Sequence, residues 1–181
     1  MVSEDRFQIS TTNVPYIRIC DFVLKALGNL APKSVVSAFG INVESIYVPP
    51  NIDARNELGT RLAPPLAWGS WGKTLLANMQ GEHKGTHLQG GLMHLQMRQP
   101  FIENGISGWR DAVIAPSPKI ENKTAVLLRT NHHHQISKLD PSDNVDISEN
   151  ETTSRLLTCL PAVFEKSIAD SLSIFEGVVT S

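Results

Sequence analysis

The spacing of apolar residues changes twice along this chain, and this change constrains the fold more than any other feature. From Pro15 to about Leu30 the apolar side chains recur at helical spacing, as on the buried face of an amphipathic helix. From Val35 to Val48 they alternate with polar residues, which is the period of a half-buried strand. A second helical pattern runs from about Thr153 to Val178. We therefore expect a helix at each end and strands between them.

Three further strands are expected in the middle of the chain, around Leu92–Arg98, Ala112–Ala115 and Thr124–Thr130, separated by turns that contain glycine or proline. A short helix is expected at Asp53–Leu62, with Asn51 or Asp53 as its cap. A doubly wound sheet would need regular alternation of strand and helix, which the sequence lacks. The pattern predicts an antiparallel α+β fold whose long C-terminal helix is kinked or broken at Pro161.

Length and composition indicate one ordinary domain over residues 1–181, because 181 residues with 41% hydrophobic content can bury a sizeable core. The formal charge is -2 and the basic residues are scattered, so no nucleic-acid partner is expected. No leader or membrane-spanning apolar run is recognised, which predicts a cytoplasmic protein without a membrane partner.

Cys20 and Cys159 lie in helical patterns and are expected to be small buried hydrophobes.

Ala67–Thr74 matches the loose pattern of a phosphate-binding loop. Such a loop must follow a buried strand, whereas this segment follows Leu62–Leu66, which contains Pro64 and Pro65. We therefore do not expect nucleotide binding here, and Trp68 and Trp71 are interpreted as packing residues in a turn.

A twelve-residue acidic segment has the side-chain spacing of a calcium loop. Its candidate ligands are Asp140, Ser142, Asn144, Asp146 and Glu151. Val145 stands where such loops need a glycine for their sharp turn, and the preceding segment has a strand pattern instead of a helical one. The alternative is an acidic loop whose carboxylates stabilise the N-terminus of the last helix.

Histidines supply the candidate metal ligands, since neutral imidazole is a common ligand of divalent metals. The candidates are His83, His87, His94, His132 and His134. If the His132–His134 run lies on a strand, His132 and His134 share one face and His133 occupies the other. A metal-dependent enzyme built on these residues would use Glu82 or Asp111 as its base. The alternative is that they are surface or hydrogen-bonded histidines.

Several short phrases of the sequence, among them Asp5–Thr11, Val36–Glu44 and Gly90–Leu92, resemble a group of bacterial proteins with the fold of the export chaperone SecB. The resemblance implies a curved antiparallel sheet with helices packed on one face and assembly into dimers or larger oligomers. Related proteins carry further strands before the segment that begins here at Asp5. We therefore expect an unpaired edge strand that favours a second copy of the chain or another protein partner.

The leading functional hypothesis is a non-enzymatic binding or assembly protein, chaperone-like or an accessory subunit, that needs no cofactor. It would act through an exposed sheet edge or through an apolar groove lined by Met93, Leu95, Met97 and Phe101. The same residues could instead be ordinary core, since they alternate on one strand face. The alternative function is the metal-dependent enzyme described above. A third is an accessory component of a bacterial or phage defence or toxin system, which rests on fold analogy.

Overall fold

A computed structural model describes residues 7–30, 35–72, 92–103, 106–119, 124–136 and 148–180 of the protein. The helices are α1 (Ile17–Leu30), α2 (Ile52–Leu62), a 3-10 helix at Pro65–Trp68 and α3 (Glu149–Thr180). The strands are β1 (Ala38–Tyr47), β2 (Leu95–Glu103), β3 (Ile106–Pro116) and β4 (Val126–Ile136). In this part of the chain, no helix is long and apolar enough to cross a membrane.

The four strands form one open antiparallel sheet in the order β1-β4-β3-β2. β2, β3 and β4 follow one another along the chain and are neighbours in the sheet, while β1 joins the free side of β4. Within the described residues, β1 and β2 are therefore the edge strands. The predicted α+β class, with helices near both ends of an antiparallel sheet, is confirmed.

The chain divides into two compact units, and every strand contributes to both. The first unit is formed by Met1–Ile41, Pro100–Trp109 and His132–Asp170, and the second by Asn42–Gln99, Arg110–Asn131 and Ser171–Ser181. In the first unit, the backbone N–H of Val36 donates to Thr153 Oγ1 at 3.0 Å, which ties the chain before β1 to α3.

The core of the second unit lies between α2, the sheet and the end of α3. Its buried members are Leu58, Ile114, Val126, Leu128 and Phe175. Beside this core the hydroxyls of Thr130 and Ser171 lie 2.6 Å apart and share a buried hydrogen bond. A buried hydroxyl without a partner costs about 1–3 kcal/mol, so this bond lets α3 pack on β4 at a polar position.

Capping side chains mark where two of the helices begin. Asn51 caps α2, because its Oδ1 accepts a hydrogen bond from the N–H of Ala54 at 2.8 Å, as expected. Ser148 caps α3, and its Oγ accepts from the N–H of Glu151 at 3.3 Å. α3 continues without a break through Pro161, and α1 begins at Ile17, two residues after the predicted start at Pro15.

Candidate functional site

An exposed apolar surface lies at the start of β2, in the second unit. Met97 is 66% exposed although it lies within a strand, and Met93, just before the strand, is also exposed. We define the β2 edge surface as the side chains of Met93 and Met97 together with the backbone of Leu95–Gln99. Since β2 is an edge strand, one side of this backbone is without a neighbouring strand among the described residues.

The four residues predicted to line an apolar groove have different surroundings. Leu95 is partly buried and packs against the core of the second unit, whereas Met93 and Met97 are open to solvent. Phe101 is half-buried in the first unit, where its ring centroid lies 5.1 Å from that of His134. Of these four residues, the two methionines are therefore the ones open to a partner.

An ion pair fixes the opposite face of β2 to β3. Arg98 donates from Nε to Asp111 Oδ1 at 2.6 Å and from Nη2 to Oδ2 at 2.8 Å, a bidentate arrangement. The hydrogen bond to Asp111 raises the pKa of Arg98 above its ordinary value. Because both Asp111 oxygens already accept from a permanent cation, Asp111 is poorly placed to act as the general base that the metal-enzyme hypothesis assigns to it.

Pro100 limits what the edge of β2 can pair with. Proline has no N–H to donate, and in sheets it is confined mainly to edge strands. A further strand added to β2 would therefore find regular backbone donors and acceptors in Leu95–Gln99 and an interruption at Pro100. This leaves the β2 edge surface as the part of the strand suited to backbone pairing.

The histidine run lies on β4, where alternation along the strand places His132 and His134 on one face and His133 on the other. His132 and His134 are buried. The ring of His134 lies 5.0 Å from that of Phe39, while His133 stacks on Trp109 with ring centroids 3.9 Å apart. His134 is therefore packed among aromatic rings of the first unit.

No group of three or more histidine, cysteine or carboxylate side chains that could hold a metal occurs in the described parts of the chain. His94 is exposed in the segment that leads into β2. His83, His87 and Glu82 lie outside the described residues, so the metal site predicted from them stays a prediction.

Of the predicted calcium ligands, Glu151 is in the part of the chain that the structure describes, and Asp140, Ser142, Asn144 and Asp146 lie outside it. Glu151 is exposed in the first turn of α3, three residues after the Ser148 cap. A carboxylate in a first turn interacts favourably with the helix dipole. This position fits the alternative of an acidic segment that supports the start of α3.

The segment that resembles a phosphate loop begins inside the 3-10 helix that follows α2, and Gly69 ends that helix with a φ of 60°. Trp68 and Trp71 were expected to pack into a turn, but they are 58% and 59% exposed. Their rings meet edge to face with centroids 5.7 Å apart, so each covers part of the other.

The surroundings of the two cysteines are those of small apolar side chains and do not favour a nucleophilic role. Burial and the nearby carboxylates of Asp21 and Glu165 raise the pKa of the Cys20 thiol, and burial raises that of Cys159. Cys20 is buried, whereas Cys159 is partly exposed and its Sγ donates to the carbonyl of Leu156 at 3.2 Å. A thiol whose pKa is raised stays protonated near neutral pH and is a weak nucleophile.

Comparison of the chain with protein-family models, with curated proteins and with solved structures gives no match.

Proposed function

We propose that this protein is a non-enzymatic, chaperone-like binding or assembly protein that acts through the β2 edge surface. The observation that carries the proposal is the exposure of Met97, an apolar side chain left 66% open on an edge strand. The resemblance to proteins with the SecB fold, which rests on sequence phrases, points in the same direction.

An open strand edge combines two sources of binding energy. Its free backbone N–H and C=O groups can hydrogen-bond an added strand, and exposed apolar side chains beside them gain from burial. Methionine suits such a surface because its unbranched, polarisable side chain adapts to different apolar neighbours. Burying a methionine side chain is worth about 1.5–3 kcal/mol, so Met93 and Met97 could supply a large share of a moderate affinity.

A second copy of the chain is the partner that we propose first. Two identical edges can pair antiparallel about a two-fold axis, which is the commonest symmetry of soluble oligomers. The formal charge of -2 creates little repulsion between copies. The uncharged segment Leu95–Met97 could therefore lie against its counterpart without an unfavourable charge contact.

The experiment compares the wild-type protein with Met97→Lys by sedimentation velocity over a range of protein concentrations. A lysine at an exposed edge position is compatible with folding but must be desolvated in a paired edge, so we expect association to weaken about tenfold or more. The matched control is Leu172→Lys, which adds the same charge at an exposed apolar position on α3. A wild-type protein that stays monomeric, or equal weakening by both substitutions, would contradict the proposal.

A further inference from the structure

Arg55 occupies a position on α2 that would ordinarily belong to the core. The buried residues of this helix are Arg55, Leu58 and Gly59, which lie three and four residues apart on one face. Arg55 is only 8% exposed, so a permanently charged side chain lies where an apolar residue would be expected.

The charge of Arg55 has little to balance it in the second unit. Among the described residues, no carboxylate forms an ion pair with Arg55, and burial lowers the pKa of its guanidinium. A permanent charge at a largely buried position is unfavourable unless water or an anion satisfies its N–H donors. A stable arrangement therefore calls for an anion or for water at the guanidinium.

Arg55 also lines a small cavity between α2, the start of the β2 segment and the sheet. Its volume is about 20 Å³, which is enough for the one or two oxygen atoms of a group whose remaining atoms lie at the opening. The other lining residues are Asn56, Leu58, Gly59, Leu92, Ile114, Ala115, Pro116 and Val126. They include no acidic side chain. The cavity therefore has one cationic lining residue, Arg55, and is otherwise mostly apolar.

We propose that the Arg55 cavity binds a single carboxylate group, with the rest of the ligand outside the cavity. The planar guanidinium presents paired N–H donors whose spacing matches the two oxygens of a carboxylate. The small volume suits this planar group better than a tetrahedral phosphate. This site is separate from the β2 edge surface and does not depend on the function proposed for it.

The direct test is NMR of the full chain labelled with ¹⁵N, titrated with formate at constant ionic strength set by chloride. We expect the Arg55 Nε–Hε resonance to shift and saturate, and the thermal midpoint of unfolding to rise in parallel, because a ligand that binds the folded state stabilises it. N-acetylglycine forms a second arm, since it mimics the end of a peptide chain. Tighter binding than formate would assign the carboxylate to a peptide, and weaker or equal binding would assign it to a small free acid.

Arg55→Met removes the charge and keeps a flexible stem, and it is expected to abolish the rise in thermal midpoint. Arg61→Met is the matched control, because Arg61 lies exposed on the same helix, and it should retain the full response. An unshifted Arg55 resonance, an equal response to chloride alone, or the same formate response in Arg55→Met would overturn the proposal. In those cases the guanidinium is solvated by water while its stem covers apolar surface.

Discussion

At the scale of single residues, stability depends strongly on close backbone approaches and on polar atoms in the core. Neither can be predicted from the sequence pattern. Arg55 and Thr130 stand at buried positions where the hydrophobic pattern gives no warning, since neither carries a motif. His132 and His134 were predicted to share a face because alternation along a strand is purely geometric. The aromatic neighbours of His134, Phe39 and Phe101, come from other strands and could not be predicted from local pattern.

Gly108 on β3 is the residue whose replacement should be most damaging for its size. A Cβ placed there would lie 1.9 Å from the carbonyl oxygen of His133 on β4, so the two backbones would have to separate. We expect Gly108→Ala to lower the free energy of unfolding by about 2 kcal/mol or more, measured by urea denaturation.

The control for Gly108→Ala is Gly177→Ala, in α3, where a Cβ would meet nothing within 4 Å. Alanine is the better helix former, so this substitution should stabilise the protein by about 0.5–1 kcal/mol. If Gly108→Ala left the free energy of unfolding unchanged or raised it, the close approach of β3 to β4 would be refuted.

At the scale of elements, periodicity located the helices and all four strands, while the lengths of these elements depended on tertiary contacts. β3 was expected at Ala112–Ala115 and runs over Ile106–Pro116. Its first part contains Ser107 and Gly108, which have low strand propensity, and pairing with β2 and β4 holds them extended.

The continuity of α3 also depends on tertiary packing. Proline inside a helix removes a hydrogen bond and costs about 3 kcal/mol, so the sequence suggested a kink or a break at Pro161. The helix continues because buried Leu156, Leu160 and Phe164 lie on both sides of the proline along its core face. Burial of three large side chains is sufficient to offset the lost bond.

The start of α3 offers a test of local stabilisation. Ser148 and Glu151 have the spacing of a capping box, and the Ser148 hydroxyl accepts a bond from the helix backbone. Ser148→Ala should lower the free energy of unfolding by about 0.5–2 kcal/mol in urea denaturation. Ser148→Asp, which restores an acceptor, should recover most of that loss. An unchanged stability in Ser148→Ala would show that the cap contributes nothing.

For the whole molecule, the central question is whether the open sheet is completed by another chain. The sequence pattern predicted the antiparallel sheet, because strands joined by short turns have few other arrangements. An exposed edge was expected from the resemblance to proteins with the SecB fold. It could not assign which strand ends the sheet, since strand order depends on long-range pairing. The order β1-β4-β3-β2 makes β2 an edge and leaves Met97 exposed on it.

Hydrogen exchange at the amides of Leu95–Gln99, followed in dilute and in concentrated protein, tests this assembly most directly. Strand pairing would protect the outward-facing amides of this segment as concentration rises, while the central strand β4 would be protected to the same extent in both samples. Our account predicts this selective, concentration-dependent protection of β2, and a smaller effect in Met97→Lys. Exchange in β2 that is rapid and independent of concentration would contradict it.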